Sequence, residues 1–181
     1  RRDAVHERMK QSIAAGRLAD AAELAEDMLA MEVEIYGELH EEVAGSHDWL
    51  ANLYALLGDA ERASDHAEKY AAYAGRFSDA DDYHARWATW LTQYIDRVNR
   101  MSDDERKSMA EAYSLMRPAL AGSEDAVSRW ERVLEIYSGI LPADDGELAR
   151  ARYFYAMTKR RLNDLAAAER LFAVSVPIYV R

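Results

Sequence analysis

The chain has 181 residues, no cysteine and a formal net charge of −10. Half of its residues are hydrophobic and 31% are charged, a balance that supports a folded core and excludes a disordered chain. Without cysteine there are no disulfides, thiolate catalysis or cysteine-ligated metal, and the acidic balance argues against nucleic acid and anionic membrane surfaces.

Only three prolines and eight glycines punctuate the chain, and apolar residues recur at helical spacing between them. The pattern predicts an all-α chain with helices near 3–15, 19–35, 41–57, 59–74, 80–101, 103–120, 123–138, 145–161 and 163–180. Gly16 and Gly58 stand where helices end, as residues that tolerate positive φ. Asp59, Asn163 and Ser102 read as N-caps, and Glu105 completes a capping box with Ser102. Pro118 is expected to end or bend its helix. Three acidic clusters, Asp79-Asp81-Asp82, Asp103-Asp104-Glu105 and Asp144-Asp145, fall at predicted helix starts. Carboxylates there complement the helix dipole, a reading preferred to catalytic dyads or a calcium loop.

No apolar run approaches the roughly 20 residues that span a bilayer, and "RRDAVHERMK" lacks a signal-peptide core. A cytoplasmic protein is expected. The absent initiator methionine and the end at "PIYVR" suggest a segment of a longer protein.

The chain repeats itself. Gly16 and Gly58 are 42 residues apart, and a shift of 105 residues lays Leu57-Gly58-Asp59 on Leu162-Asn163-Asp164. The same shift lays Ala63 on Ala168, Ala44 on Ala149, Ala51 on Ala156 and Trp49 on Phe154. Small residues at fixed positions let two antiparallel helices cross closely while large neighbours fill the gaps. Each hairpin then leaves an apolar face that the next one buries.

Segment 40–63, "HEEVAGSHDWLANLYALLGDAERA", resembles the tetratricopeptide repeat of the kinesin light chain type, with His40, Val43, Ala44, Leu50, Ala51, Tyr54, Gly58 and Ala63 in register. The unit at 144–180 is similar, and those at 3–35 and 106–138 match more weakly. The resemblance implies a right-handed α-α superhelix with hairpins near 3–35, 41–74, 103–138 and 145–180. Helix 80–101 stands outside the register as an inserted element.

In that family the first helix of each hairpin lines a groove that accepts a peptide. Carried over by position, this implies Asp3, His6 and Lys10, then Gly45, Asp48, Asn52 and Ala55. The third unit offers Ser108, Glu111 and Leu115, and the fourth Arg150, Tyr153, Met157, Arg160 and Arg161. Residues 145–181 carry a net +3 against −13 elsewhere, so the last set is expected to favour an acidic peptide or carboxylate. The paired asparagines of the family's groove helix are here Asp48-Trp49 and Tyr153-Phe154, leaving Asn52 as the nearby amide.

No catalytic signature accompanies this scaffold. His40 and His47 are seven residues apart, not the four that place two zinc ligands on one helix face, so capping or packing is expected of them. Tyr83, Trp87, Trp90, Leu91, Tyr94, Val98 and Met101 form one stripe on helix 80–101, read as packing, with a partner platform as the sharper alternative. The expected function is a non-catalytic, cofactor-free scaffold binding a protein or peptide, or a regulatory segment acting on another domain of its own chain. Self-association through helix 80–101 or through the terminal helix, at Phe172, Val176 and Ile178, is a further expectation.

Overall fold

A computed structural model describes residues 1–76 and 83–179, and its secondary structure among those residues is helical throughout. The helices are α1 (Arg2–Ala14), α2 (Leu18–Tyr36), α3 (Glu41–Leu57), α4 (Ala60–Ala74), α5 (Tyr83–Asn99), α6 (Asp103–Ala121), α7 (Ala126–Ile140), α8 (Gly146–Arg161) and α9 (Leu165–Tyr179). α3 has its predicted bounds, and the other described ends lie within three residues of prediction. The start of predicted helix 80–101 and the cluster Asp79-Asp81-Asp82 lie outside the described residues.

Four hairpin turns share one backbone pattern. At Gly16, Gly58, Gly122 and Asn163 φ is 73°, 82°, 83° and 61°. Each of these residues donates its N–H three residues back, and the next residue donates five back, as in Asp59 N to Tyr54 O at 2.9 Å and Asp164 N to Lys159 O at 2.9 Å. This double bond satisfies carbonyls that the helix end would orphan. The turn at Gly122 escaped the sequence pattern, and α7 begins at Ala126 instead of 123 because of it. Successive turn residues are 42, 64 and 41 apart. The middle interval is 22 longer than the first, which is room for α5 and its flanks. The shift of 105 is therefore two hairpins plus one inserted helix.

Asn163 is a correction: its backbone takes the left-handed turn, and Asp164 caps α9 by accepting Ala167 N at 3.2 Å. Asparagine is the non-glycine residue best suited to that role. Asp59 caps α4 through Arg62 N at 3.0 Å, and Ser102 with Glu105 forms the expected capping box (3.3 and 2.8 Å). Asp145 caps α8 through Glu147 N at 2.7 Å. Pro118 does not end α6, which continues to Ala121. Gly58→Ala should cost about 1–2 kcal/mol, because a Cβ at that φ is strained; Asn163→Gly should raise the melting temperature slightly. Thermal melts of the two variants check both expectations.

The chain divides into two compact units, residues 1–107 and 108–181. The first carries 13 Lys/Arg against 23 Asp/Glu, so the whole net charge of −10 resides in it, and the second is neutral. In the first unit α1 packs on α2, α2 on α3, and α3 on α4, with α5 lying against both α3 and α4. The alanines at the crossings, Ala51 and Ala63, are fully buried, as is Met9 at the equivalent place in the first hairpin. Buried Glu32 of α2 accepts Arg2 Nε of α1 at 2.6 Å and Ser46 Oγ of α3 at 2.5 Å, tying three helices together. In the second unit α7 packs on α8 and α8 on α9, and Arg132 of α7 bonds Glu111 of α6 at 2.9 Å. Its core centres on fully buried Trp130, Leu148 and Ala156.

Candidate functional site

Three elements of the first unit enclose a cleft of about 200 Å³. α3 supplies the floor: Glu41, Gly45 and Asp48 stand four and three residues apart, which places them on one helical face. Gly45 matters because a Cβ built there meets nothing within 4 Å, so the helix backbone lies open to the cleft. α4 contributes Tyr70 and Tyr73, both buried, and the first turns of α5 contribute Tyr83, His84 and Trp87.

The walls are fixed by specific contacts. Trp87 Nε1 donates to Asp48 Oδ1 at 3.1 Å, and Tyr70 Oη and His84 Nδ1 are 3.3 Å apart. Tyr73 and His84 meet edge to face, with centroids 5.3 Å apart at 88°. Tyr83 lies nearly parallel to Trp87 (6.2 Å, 18°) and steeply to His84 (5.4 Å, 75°). Burial pushes the Tyr70 phenol above its usual range, and the nearby Asp48 and Glu41 carboxylates push in the same direction.

Among the sequence candidates, Asp48 and Asn52 come together, but in different roles. Asp48 borders the cleft, whereas Asn52 is buried and donates its amide to the Asp48 carbonyl (2.7 Å) and carboxylate (3.1 Å). Ala55 is buried, while Asp3, Lys10 and Glu111 are exposed and His6 sits edge-on to Trp49 at 6.1 Å. The aromatic stripe of α5 divides its work. Leu91, Tyr94 and Val98 are buried in the core, and Tyr83, 61% exposed, and Trp87 face the cleft.

The α8 candidates spread over more than one side of their helix. Arg150 bonds buried Glu147 at 2.8 Å. Tyr153 packs edge-on to Phe172 of α9 at 5.4 Å, and Met157 is half-buried. Arg160 is exposed beside α9, bordering an open apolar trough with Leu165, Phe172 and Val176. Arg161, also exposed, reaches Thr158 Oγ1 at 3.4 Å and lies toward the Gly122 turn.

Of the histidines, His40 caps α3 by accepting Glu42 N at 3.2 Å and stacks on Tyr36. His47 forms a buried pair with His66, their Nδ1 atoms 2.9 Å apart. His66 Nε2 faces Glu26 Oε1 at 3.5 Å, and the same oxygen accepts Tyr54 Oη at 2.9 Å. That arrangement assigns His66 the Nε2–H tautomer, with His47 Nδ1–H donating to its Nδ1. The pair links residues 19 apart on two helices. The packing role expected of His47 was one trace of it in sequence, and His66 falls on the face of α4 that carries Ala63 and Tyr70. Among the described residues no group of three His, Asp or Glu could hold a metal ion, and no helix is long and apolar enough to cross a membrane.

No family model matches the chain, and no curated protein matches it. Among solved structures it is similar to a Podosopora anserina protein described as a kinesin light chain with nearly identical TPR-like repeats. The TM-score is 0.42 and the identity 15%, over 97% of this chain and 93% of that one. A substituted form of the same protein aligns equally, at 16% identity and a TM-score of 0.42 over the same shares.

Proposed function

We propose that this chain is a non-catalytic protein-interaction module that receives a segment of a partner protein on the first-helix face of its hairpins, chiefly at the α3 cleft. The observation behind this reading is Gly45. A glycine inside a helix forfeits stability, about 0.8–1 kcal/mol against alanine, and here it opens the floor of a cleft with aromatic walls. Such a cleft buries an incoming side chain, and aromatic residues dominate interface hot spots.

Panning a random peptide library against the full chain tests the proposal. Enriched peptides should bind the wild type and lose about tenfold or more in affinity with Gly45→Leu, which fills the cleft while favouring the helix. No enrichment, or equal binding to the variant, would reject the reading. The exposure of Arg160 and Arg161 supports a second docking surface for acidic segments at the end of α8. Arg160→Glu with Arg161→Glu should abolish capture of acidic peptides there, and undiminished capture would dismiss that surface.

A further inference from the structure

We propose that the apolar trough on α9 receives the same trough of a second copy of this chain, the two α9 helices packing antiparallel about a two-fold axis.

Leu165, Phe172 and Val176 follow one another along α9 at steps of seven and four, which places them on one helical face, with Ala168 and Ala173 between them. The turn register shows what such a face is for. Superposing Gly16 on Asn163 lays Leu18 on Leu165, Ala22 on Glu169 and Ala25 on Phe172. Leu18, Ala22 and Ala25 are buried, on a helix that packs against both α1 and α3. On α9, which packs on α8, Leu165 is 60% exposed and Val176 37%. A face that helices cover in the first unit therefore stands open here, and its alanines let another helix approach closely.

The outer face of a hairpin array that meets water is polar. α1 has such a face, with exposed Asp3, Glu7, Arg8, Lys10 and Gln11, and α9 does not. A head-to-tail copy would press the polar face of α1 into an apolar trough, at a desolvation cost. The trough of a second copy matches it in kind, and a two-fold contact closes without leaving a further trough exposed.

Charge selects the same occupant. The trough carries one cation and one anion, exposed Arg160 and Glu169, and neither side chain has a hydrogen bond or ion pair among the described residues. Antiparallel packing that sets Leu165 against Phe172 of the second copy brings Glu169 of both copies near the axis. Arg160, three residues before the Asn163 turn, stands level with the start of α9 and from there reaches Glu169 of the other copy. Two guanidiniums then flank two carboxylates. A foreign helix would have to carry both charges in this order, whereas a second copy supplies them by symmetry.

Sedimentation equilibrium of the full chain over a wide range of concentrations is the test. A reversible dimer should form with a dissociation constant on the order of tens of micromolar, as suits a small interface. Leu165→Asp, at a position exposed in the single copy, should leave a monomer with unchanged far-UV circular dichroism. Arg160→Glu and Glu169→Arg should each weaken dimerisation about tenfold or more, because like charges then crowd the axis. An equimolar mixture of those two variants should recover it, since each meets the opposite charge on the other. A monomer at every concentration would overturn the proposal and leave the trough to a helix of another protein. Dimers that survive Leu165→Asp would also overturn it by placing self-association elsewhere on the chain. So would a mixture that recovers nothing of what each charge variant loses.

Discussion

Trp130→Ala should destabilise the unit formed by residues 108–181 by about 3–5 kcal/mol, the range for deleting a large aromatic side chain from a packed core. Trp130 is 0% exposed, its ring lies near-parallel to Phe154 (6.4 Å, 15°), and its Nε1 donates to Thr158 Oγ1 at 3.0 Å. Both the apolar volume and one buried hydrogen bond disappear with it. Trp130→Phe should cost less, about 1–2 kcal/mol, because most of the volume stays and Thr158 still has the Phe154 carbonyl at 3.2 Å as acceptor. Urea denaturation followed by far-UV circular dichroism separates the two. A loss below about 1 kcal/mol for the alanine variant would mean that this core is not organised around Trp130.

Acidification from pH 6.5 to 4 should destabilise the first unit by on the order of 2–3 kcal/mol through His47 and His66. Burial, with a further push from the neighbouring His66, holds His47 down to about 4, and burial also lowers His66. In the unfolded chain a histidine titrates near 6.5. Between these values the unfolded state binds more protons than the folded one, so stability falls as the pH falls. The stabilisation is complete above about pH 6.5 and is spent as the pH reaches about 4. Two imidazolium rings with Nδ1 atoms 2.9 Å apart would repel, and the nearby Glu26 and Asp65 carboxylates offset the burial of the pair only in part. The double variant His47→Gln, His66→Gln keeps polar groups and removes the titration. It should show a shallower loss across this window in denaturant melts at each pH. An identical loss in both proteins would show that other carboxylates alone govern the acid limb.

The helical scaffold was legible residue by residue. Gly16 and Gly58 marked turns because few residues other than glycine hold positive φ cheaply. Ala51 and Ala63 marked crossings because small residues permit close approach, and both are fully buried. These signals are local or periodic, so a one-dimensional pattern carries them. The misassignment of Asn163 as a cap has the same origin: asparagine serves both caps and left-handed turns, and only the backbone separates the two uses.

The candidate site was legible in part. Asp48 and the aromatic stripe of helix 80–101 were each visible, but as separate features at least 35 residues apart in the chain. Their meeting in one cleft depends on how α5 lies across α3 and α4, which the inserted helix's departure from the repeat register left open. The same holds for the His47–His66 pair and for Arg150, whose guanidinium meets the buried carboxylate of Glu147. Sequence alone determined the all-α class, the hairpin register and the uneven charge, because periodicity, turn chemistry and composition act over a few neighbouring residues. Tertiary structure decided which side chains converge, because contacts between helices depend on packing angles and rotations that no local pattern encodes.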